Sequence, residues 1–254
     1  MHHPWQRILF LCFLHLFLGF TLVEETLSAS LTFSQQVMNR YVGVAGIPPH
    51  DSEVLWTHLH GASESGFYGG VYFFTDLGDV ASGEFSSTRG DEADWYLGWK
   101  GQVVAGWSLK LQLVYLDLLE LMDGRKGDTY RLIIEGEKTF TLSNHKLSPY
   151  GGVWLHQPAK GERPERGVHL VTGLRHAWSM AEGITLNQQA EIRRDDGFSG
   201  LLPATLYRHE ASFAWKINDL VTFRPLIIQY STPLTTTRQR TNEWVIGGGY
   251  ALNF

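Results

Sequence analysis

The sequence is poor in cysteine, in charged residues and in long apolar runs. Its 254 residues include one cysteine, Cys12, and Asp, Glu, Lys and Arg together make up only 19% of the chain. Low charge combined with 13% aromatic residues excludes a disordered chain. A formal net charge of -5 without a Lys/Arg tract argues against nucleic-acid binding, so we expect no nucleic-acid partner.

The first 29 residues differ from the rest of the chain. Arg7 precedes an apolar stretch over residues 8–23, and small and polar residues follow at 24–30. This order predicts a secretory signal peptide over residues 1–29, cleaved near residues 28–30. An uncleaved membrane anchor is the alternative, but the stretch is shorter than the ~20 residues that cross a bilayer as a helix. Cys12 would leave with the signal peptide, and residues 30–254 then form one domain without disulfides.

The dominant pattern after residue 29 is the alternation of apolar and polar residues that is typical of β-strands. No later apolar run is long enough for a transmembrane helix. Trp107, Leu111 and Tyr115, for example, share one apolar strand face, while Lys110 and Gln112 lie on the other. Twelve segments show such a pattern between turn residues: 31–44, 52–63, 67–76, 91–101, 106–118, 128–140, 147–157, 167–180, 184–195, 205–217, 220–232 and 241–254.

The connections between these segments alternate between short and long, as they do in bacterial outer-membrane barrels. We therefore predict an all-β fold, a closed antiparallel transmembrane β-barrel of about 12 strands, with short periplasmic turns and longer outer loops. A soluble β-sandwich or lipocalin also alternates and stays an alternative. Ten strands result if residues 52–63 belong to a loop. Aromatic residues at the ends of apolar strand faces, such as Trp107 and Tyr115, fit the girdles at a membrane interface.

The polar strand faces carry most of the charge. Arginine is frequent among these residues, and its planar fork suits a narrow lumen in which hydration is limited. If the polar faces line the interior, the candidate pore-lining residues are Lys100, Lys110, Arg131, Glu135, Arg175, Glu191, Arg193, Arg208, Glu210, Lys216, Arg224 and Glu243.

The carboxyl terminus resembles the end of bacterial outer-membrane barrels, an alternating strand that finishes in Phe. The matching residues are Trp244, Tyr250, Leu252 and Phe254. The resemblance implies recognition by the barrel-assembly machinery and a location in the bacterial outer membrane. Outer-membrane lipid and lipopolysaccharide are the expected surroundings.

Residues for other chemistry are sparse. His209 and Ser212 are three positions apart, so a strand would point them to opposite faces and leave no hydrolytic pair. His58 and His60 share a strand face, but no cysteine or acidic cluster completes a metal site. We expect no enzymatic activity, no cofactor and no metal.

Two stretches resemble a family of proteobacterial outer-membrane barrels, the TorF-like porins. Residues 65–72 (SGFYGGVY) are similar to the family's second hairpin, and residues 91–99 (DEADWYLGW) to its next strand. Residues 30–33 (SLTF) fit more loosely, and the family's Tyr-x-x-Arg-Gly run is absent, because residues 41–44 read YVGV. The resemblance covers about the first 100 residues and implies an outer-membrane barrel with a transport role.

Two functional hypotheses follow. The first is a narrow channel for small solutes with a weak preference for anions, because basic residues outnumber acidic ones on the polar faces. The second is a closed structural or interaction barrel that works through its outer loops, with the interior charges neutralised in ion pairs.

Overall fold

A computed structural model describes residues 29–42, 52–77, 92–117, 128–159, 166–198, 201–235 and 240–254. The predicted signal peptide lies almost wholly outside these residues, since the first of them, Ala29, already begins a strand. In this part of the chain no helix has the length and apolarity to cross a membrane.

The described residues form thirteen strand segments, and each extended stretch follows the alternation of the sequence. Their bounds are β1 Ala29–Met38, β2 Val54–Ser63, β3 Phe67–Asp76, β4 Glu92–Val104, β5 Trp107–Asp117, β6 Thr129–Lys138, β7 Phe140–Leu142, β8 His145–Pro158, β9 Gly167–Ala181, β10 Ile184–Asp195, β11 Ala204–Lys216, β12 Val221–Pro233 and β13 Glu243–Asn253. The predicted strand at 128–140 is interrupted at Thr139, and its end is the short β7. Glu137 pairs with Tyr150 and Phe140 with Leu147, so β7 continues β6 in the same register along β8.

Antiparallel pairing joins neighbouring strands into a closed ring of twelve. β1 pairs with both β2 and β13, and the pairing of β6 with β8 closes the remaining gap. The prediction of a closed antiparallel barrel is confirmed, and β2 belongs to the ring, which settles the strand number at twelve in the described chain. Closure satisfies the backbone hydrogen-bonding groups along both edges of every strand.

The two ends of the barrel differ in their connections. Thr32 pairs with Asn253, and Ala29 pairs with Ser63. The first and the last residues of the described chain therefore lie at the same end of the barrel, beside the turn between β2 and β3. Five short turns lie at this short-turn end; in one of them Gly183 adopts φ of +70°, a conformation that glycine allows at little cost. The strand ends that lead into the six longer connections lie at the opposite end of the barrel, which we call the long-loop end.

The apolar strand faces point outward and the polar faces inward. Leu111, Leu113, Leu132 and Ile134 are all exposed on the outer surface, whereas their inward neighbours are buried. This distribution inverts that of a water-soluble barrel and matches the pattern of a membrane barrel. Of the girdle candidates named above, Trp107 is exposed and Tyr115 is half-buried.

Parts of the interior are packed. Met38, Val42, Ile227 and Val245 form one buried cluster, and Tyr96, Val114, Leu116 and Ile133 form another. Large side chains lie across small neighbours: a Cβ at Gly98 would come within 2.4 Å of the Tyr68 ring. Inward glycine therefore makes room for tyrosine on the adjacent strand.

Candidate functional site

The barrel interior contains a polar cavity of about 360 Å³. Its charged lining consists of five basic side chains, Lys110, Arg131, Arg175, Arg193 and Arg208, and four acidic ones, Asp94, Glu135, Glu191 and Glu210. Trp56, Tyr72 and Trp154 are the aromatic residues of the lining. Eight of the twelve residues predicted from the polar faces therefore line this cavity.

One group of ion pairs lies toward the short-turn end. The Arg175 guanidinium lies 2.6 Å from Glu135 and 2.6 Å from Glu137, and its Cζ is 3.8 Å from the centre of the Tyr150 ring. Lys100 also pairs with Glu137. Glu137 thus bridges two cations, and the planar guanidinium of Arg175 binds two carboxylates at once. Such an arrangement suits a narrow lumen in which hydration is limited.

A second group lies closer to the long-loop end. Glu191 pairs with Arg193 and accepts a 2.8 Å hydrogen bond from the Tyr150 hydroxyl. The Arg193 guanidinium lies 4.1 Å from the centre of the Trp154 ring, within the range of a cation–π contact. Both charged side chains are almost fully buried, so each depends on the other for compensation.

A third group holds the connection between β10 and β11. Asp195 is completely buried; it accepts hydrogen bonds of 2.8 Å from the backbone nitrogens of Gly197 and Phe198 and pairs with Arg240. His169 Nε2 lies 3.3 Å from the same carboxylate. These bonds place Phe198 with its ring centre 4.1 Å from that of His156, and Phe198 is buried at the long-loop end of the interior.

Aromatic residues cover the arc of wall formed by β2, β3 and β4. The Tyr96 hydroxyl lies 2.7 Å from His58 Nε2 and 2.7 Å from His60 Nδ1, and the His58 ring stacks on Tyr72 at 4.0 Å. The paired histidines are thus bound to one tyrosine. We call this arc the aromatic sector; it comprises Trp56, His58, His60, Tyr68, Tyr72, Phe74 and Tyr96. We call the cavity wall outside β2, β3 and β4 the charged sector; its charged residues and its one tryptophan are Lys110, Arg131, Glu135, Trp154, Arg175, Glu191, Arg193, Arg208 and Glu210. Asp94 lies on β4, beside the aromatic sector.

Four predicted residues lie away from the cavity lining. Lys100 is paired with Glu137 near the short turns, and Glu243 accepts a 2.9 Å hydrogen bond from Arg40 beside the long connections. Arg224 is half-buried on β12. Lys216 ends β11 and pairs at 2.6 Å with Asp219, where this hydrogen bond and the ammonium charge hold the pKa of the carboxyl below its usual value. Both members of that pair are largely exposed, so Lys216 belongs to the rim.

The carboxyl-terminal residues lie on the outer face at the seam where β13 meets β1. Trp244, Tyr250 and Phe254 are exposed, and Leu252 is half-buried. The Tyr250 hydroxyl donates a 2.7 Å hydrogen bond to Gln35 on β1. The last strand thus has both an apolar outer face and a bond across the seam that completes the ring.

The inward aromatic residues were missed by the sequence argument, which assigned aromatic residues chiefly to the interfacial girdles. Tyr96 and Gly98 alternate with Trp95 and Trp99, and they share the parity of Asp94. The alternation could therefore have predicted their orientation. If the charged residues of a strand face the lumen, an aromatic residue two positions away faces the lumen as well.

Comparison with solved structures shows the same fold in two porins. The KdgM porin, known alone and in a complex with disordered oligogalacturonate, matches with TM-scores of 0.54 and 0.53 at 8% and 7% identity, over 89% of this chain and 99% of KdgM. The NanC porin matches with a TM-score of 0.52 at 8% identity, over 87% of this chain and 98% of NanC. No family model and no curated protein matches the sequence. The likeness therefore concerns the fold, and the resemblance to the TorF-like porins stays a prediction.

Proposed function

We propose that the chain is a bacterial outer-membrane barrel whose lumen is a narrow channel for small solutes, with a weak preference for anions. The observation that carries the proposal is the combination of an apolar outer surface with a charged interior cavity. The porin fold of KdgM and NanC supports the transport role.

The preference for anions rests on which charges lack counter-ions. In the described part of the chain, Arg175 and Arg193 have carboxylate partners, whereas Lys110, Arg131 and Arg208 form no ion pair. On the acidic side, Glu135 and Glu191 are paired, whereas Asp94 and Glu210 form no ion pair in the described chain. Glu210 accepts a hydrogen bond from Gln229. Three cations and two carboxylates of the lining therefore lack ion-pair partners among the described residues, which leaves an excess of one cation. An excess of unpaired cations attracts anions into a narrow passage.

Reversal potentials in planar bilayers under a salt gradient test this proposal. We expect discrete conductance steps and a modest anion preference, which the double variant Lys110→Gln/Arg208→Gln shifts toward cations. Lys216→Gln at the exposed rim is the control and should shift the potential little, because solvent screens its charge. Folded protein that gives no conductance steps would contradict the channel.

A closed barrel is the second candidate function. Phe198 is buried against His156 at the long-loop end, and ion pairs that span from β9 across β8 to β6 occupy part of the interior. A barrel filled in this way acts through its outer loops, of which residues 77–90, 119–127 and 158–166 are the main candidates. Deletion of residues 77–90 should then abolish a phenotype of the gene without changing solute uptake, whereas changes to lumen charges should be silent.

Export and assembly are further parts of the proposal. Residues 1–29 direct export, the assembly machinery recognises Trp244, Tyr250, Leu252 and Phe254, and outer-membrane lipid with lipopolysaccharide surrounds the barrel. Heat-modifiable gel migration of membrane-extracted protein tests the folded barrel. Removal of Phe254 should lower the amount of the fast-migrating folded form, and an unchanged amount would exclude a role in assembly.

A further inference from the structure

We propose that Arg131 and Trp154 form a saturable binding site for a small oxyanion, a carboxylate or a phosphate, on the wall of the lumen cavity. The inference rests on the proposed function in one respect, since it names the class of solute that the channel would hold. The site lies in the charged sector, and both residues line the cavity.

Arg131 has no carboxylate at the neighbouring inward positions of the sheet, and in this it differs from Arg193, the other buried arginine of the cavity lining. Across the strands it faces Val114 on β5 and His156 on β8, and along β6 its inward neighbours are Thr129 and Ile133. Arg193, by contrast, has Glu191 on its own strand as an ion-pair partner. No carboxylate therefore occupies any of the four inward positions next to Arg131.

The Arg131 guanidinium lacks acceptors. Only 6% of the residue is exposed, and its Nε and Nη2 atoms have no hydrogen-bond partner among the described residues. The indole Nε1 of Trp154 also lacks a partner there. Buried donors without acceptors cost on the order of 1–3 kcal/mol each, and more for a charged group, so this position favours a ligand that brings acceptor oxygens.

Trp154 lies beside a second cation, and the carboxyl groups of Asp94 and Glu92 act on Arg131 through space. The guanidinium carbons of Arg131 and Arg193 lie 5.6 Å and 4.1 Å from the centre of the Trp154 ring, so one indole contacts two cations. Asp94 lines the same cavity, but no ion pair joins it to Arg131 in the described chain. A planar guanidinium with free N–H groups matches an oxyanion in charge and in geometry.

Fluorescence titration of the folded barrel in detergent micelles tests the site. Sodium acetate and sodium phosphate, each replacing chloride at constant ionic strength, are the two probes, one planar and one tetrahedral. We expect a saturable change in tryptophan emission that Trp154→Phe removes. Arg131→Gln should raise the half-saturating concentration about tenfold to a hundredfold, as expected for a lost hydrogen bond to a charged group. Arg131→Lys should give an intermediate value.

Lys110→Gln is the matched control because Lys110 lines the same cavity without an ion-pair partner. Equal weakening by Lys110→Gln and Arg131→Gln would overturn the site, because it would reveal attraction by the overall charge of the cavity. The absence of saturation with either probe would also overturn it. If Arg131→Gln does not give a heat-modifiable band, unweakened binding by Arg131→Lys counts against the site.

The same protein in planar bilayers separates this inference from the channel. Saturable acetate or phosphate binding without conductance would leave the site standing and remove the channel. Conductance without saturable binding would leave the channel and remove the site.

Discussion

The aromatic and charged sectors line the same lumen but satisfy their polar groups in different ways. In the aromatic sector, His58, His60 and Tyr96 bond to one another and the rings stack, so no net charge needs a counter-ion. In the charged sector, Arg175 and Arg193 pair with carboxylates, whereas three cations form no ion pair with a described residue: Lys110, Arg131 and Arg208. We therefore expect the charged sector, rather than the aromatic sector, to attract an anionic solute.

The largest effect is expected at Asp195, a completely buried charge outside both sectors. Asp195→Asn removes the charge that pairs with Arg240 and faces His169, so we expect a loss of about 3–5 kcal/mol in the free energy of unfolding. Urea unfolding followed by heat-modifiable migration measures the loss. Asp219→Asn at the exposed rim is the matched control and should leave the unfolding curve unchanged. Equal curves for the two variants would show that burial does not distinguish these carboxylates.

Phe198→Ala tests whether the junction between loop and lumen is a constriction. The side chain is buried against His156, so its removal should cost about 3 kcal/mol of stability and widen the long-loop end. Single-channel conductance should rise in planar bilayers. Phe140→Ala is the control, because Phe140 is an exposed phenylalanine at the short-turn end. It should change the stability and the conductance less than Phe198→Ala does. An unchanged conductance in Phe198→Ala would place the narrowest point elsewhere.

Tyr96→Phe examines the aromatic sector alone. The change removes the hydroxyl that His58 and His60 share, so we expect a loss of about 1–3 kcal/mol in unfolding free energy. Because no charge is altered, the reversal potential should stay at the wild-type value. A shift of that potential comparable to the shift in Lys110→Gln/Arg208→Gln would contradict the division of roles between the sectors.

The smallest effect is expected at the ion pair between Lys100 and Glu137, near the short-turn end of the barrel. Lys100 is about half exposed, so Lys100→Gln should cost less than about 1 kcal/mol, and high salt should reduce the difference from wild type. Unfolding at low and high salt measures both quantities. A loss as large as that of Asp195→Asn would mean that the pair with Glu137 is not screened by solvent.

The alternation of residues determined the architecture by itself. Strand positions and the distribution of short and long connections follow from it, because a strand turns successive side chains to opposite faces. The choice between ten and twelve strands was made by the pairing of β2 with β1 and β3. The same alternation identified eight of the charged residues that line the cavity. It also separated Tyr96 and Gly98 from Trp95 and Trp99, although it did not reveal that the first pair belongs to a wall of stacked rings.

Only the tertiary structure decided which charges are paired. Arg175 meets Glu135 across 40 positions of sequence, and Asp195 meets Arg240 across 45, because the register of closed strands and the course of the loops bring these residues together. Periodicity gives the face of a residue but not its height in the barrel, so it could not distinguish Lys216 at the rim from Lys110 in the cavity. For the same reason the sequence yielded a face rich in cations, and the fold alone singled out Arg131 as a buried cation with no carboxylate beside it.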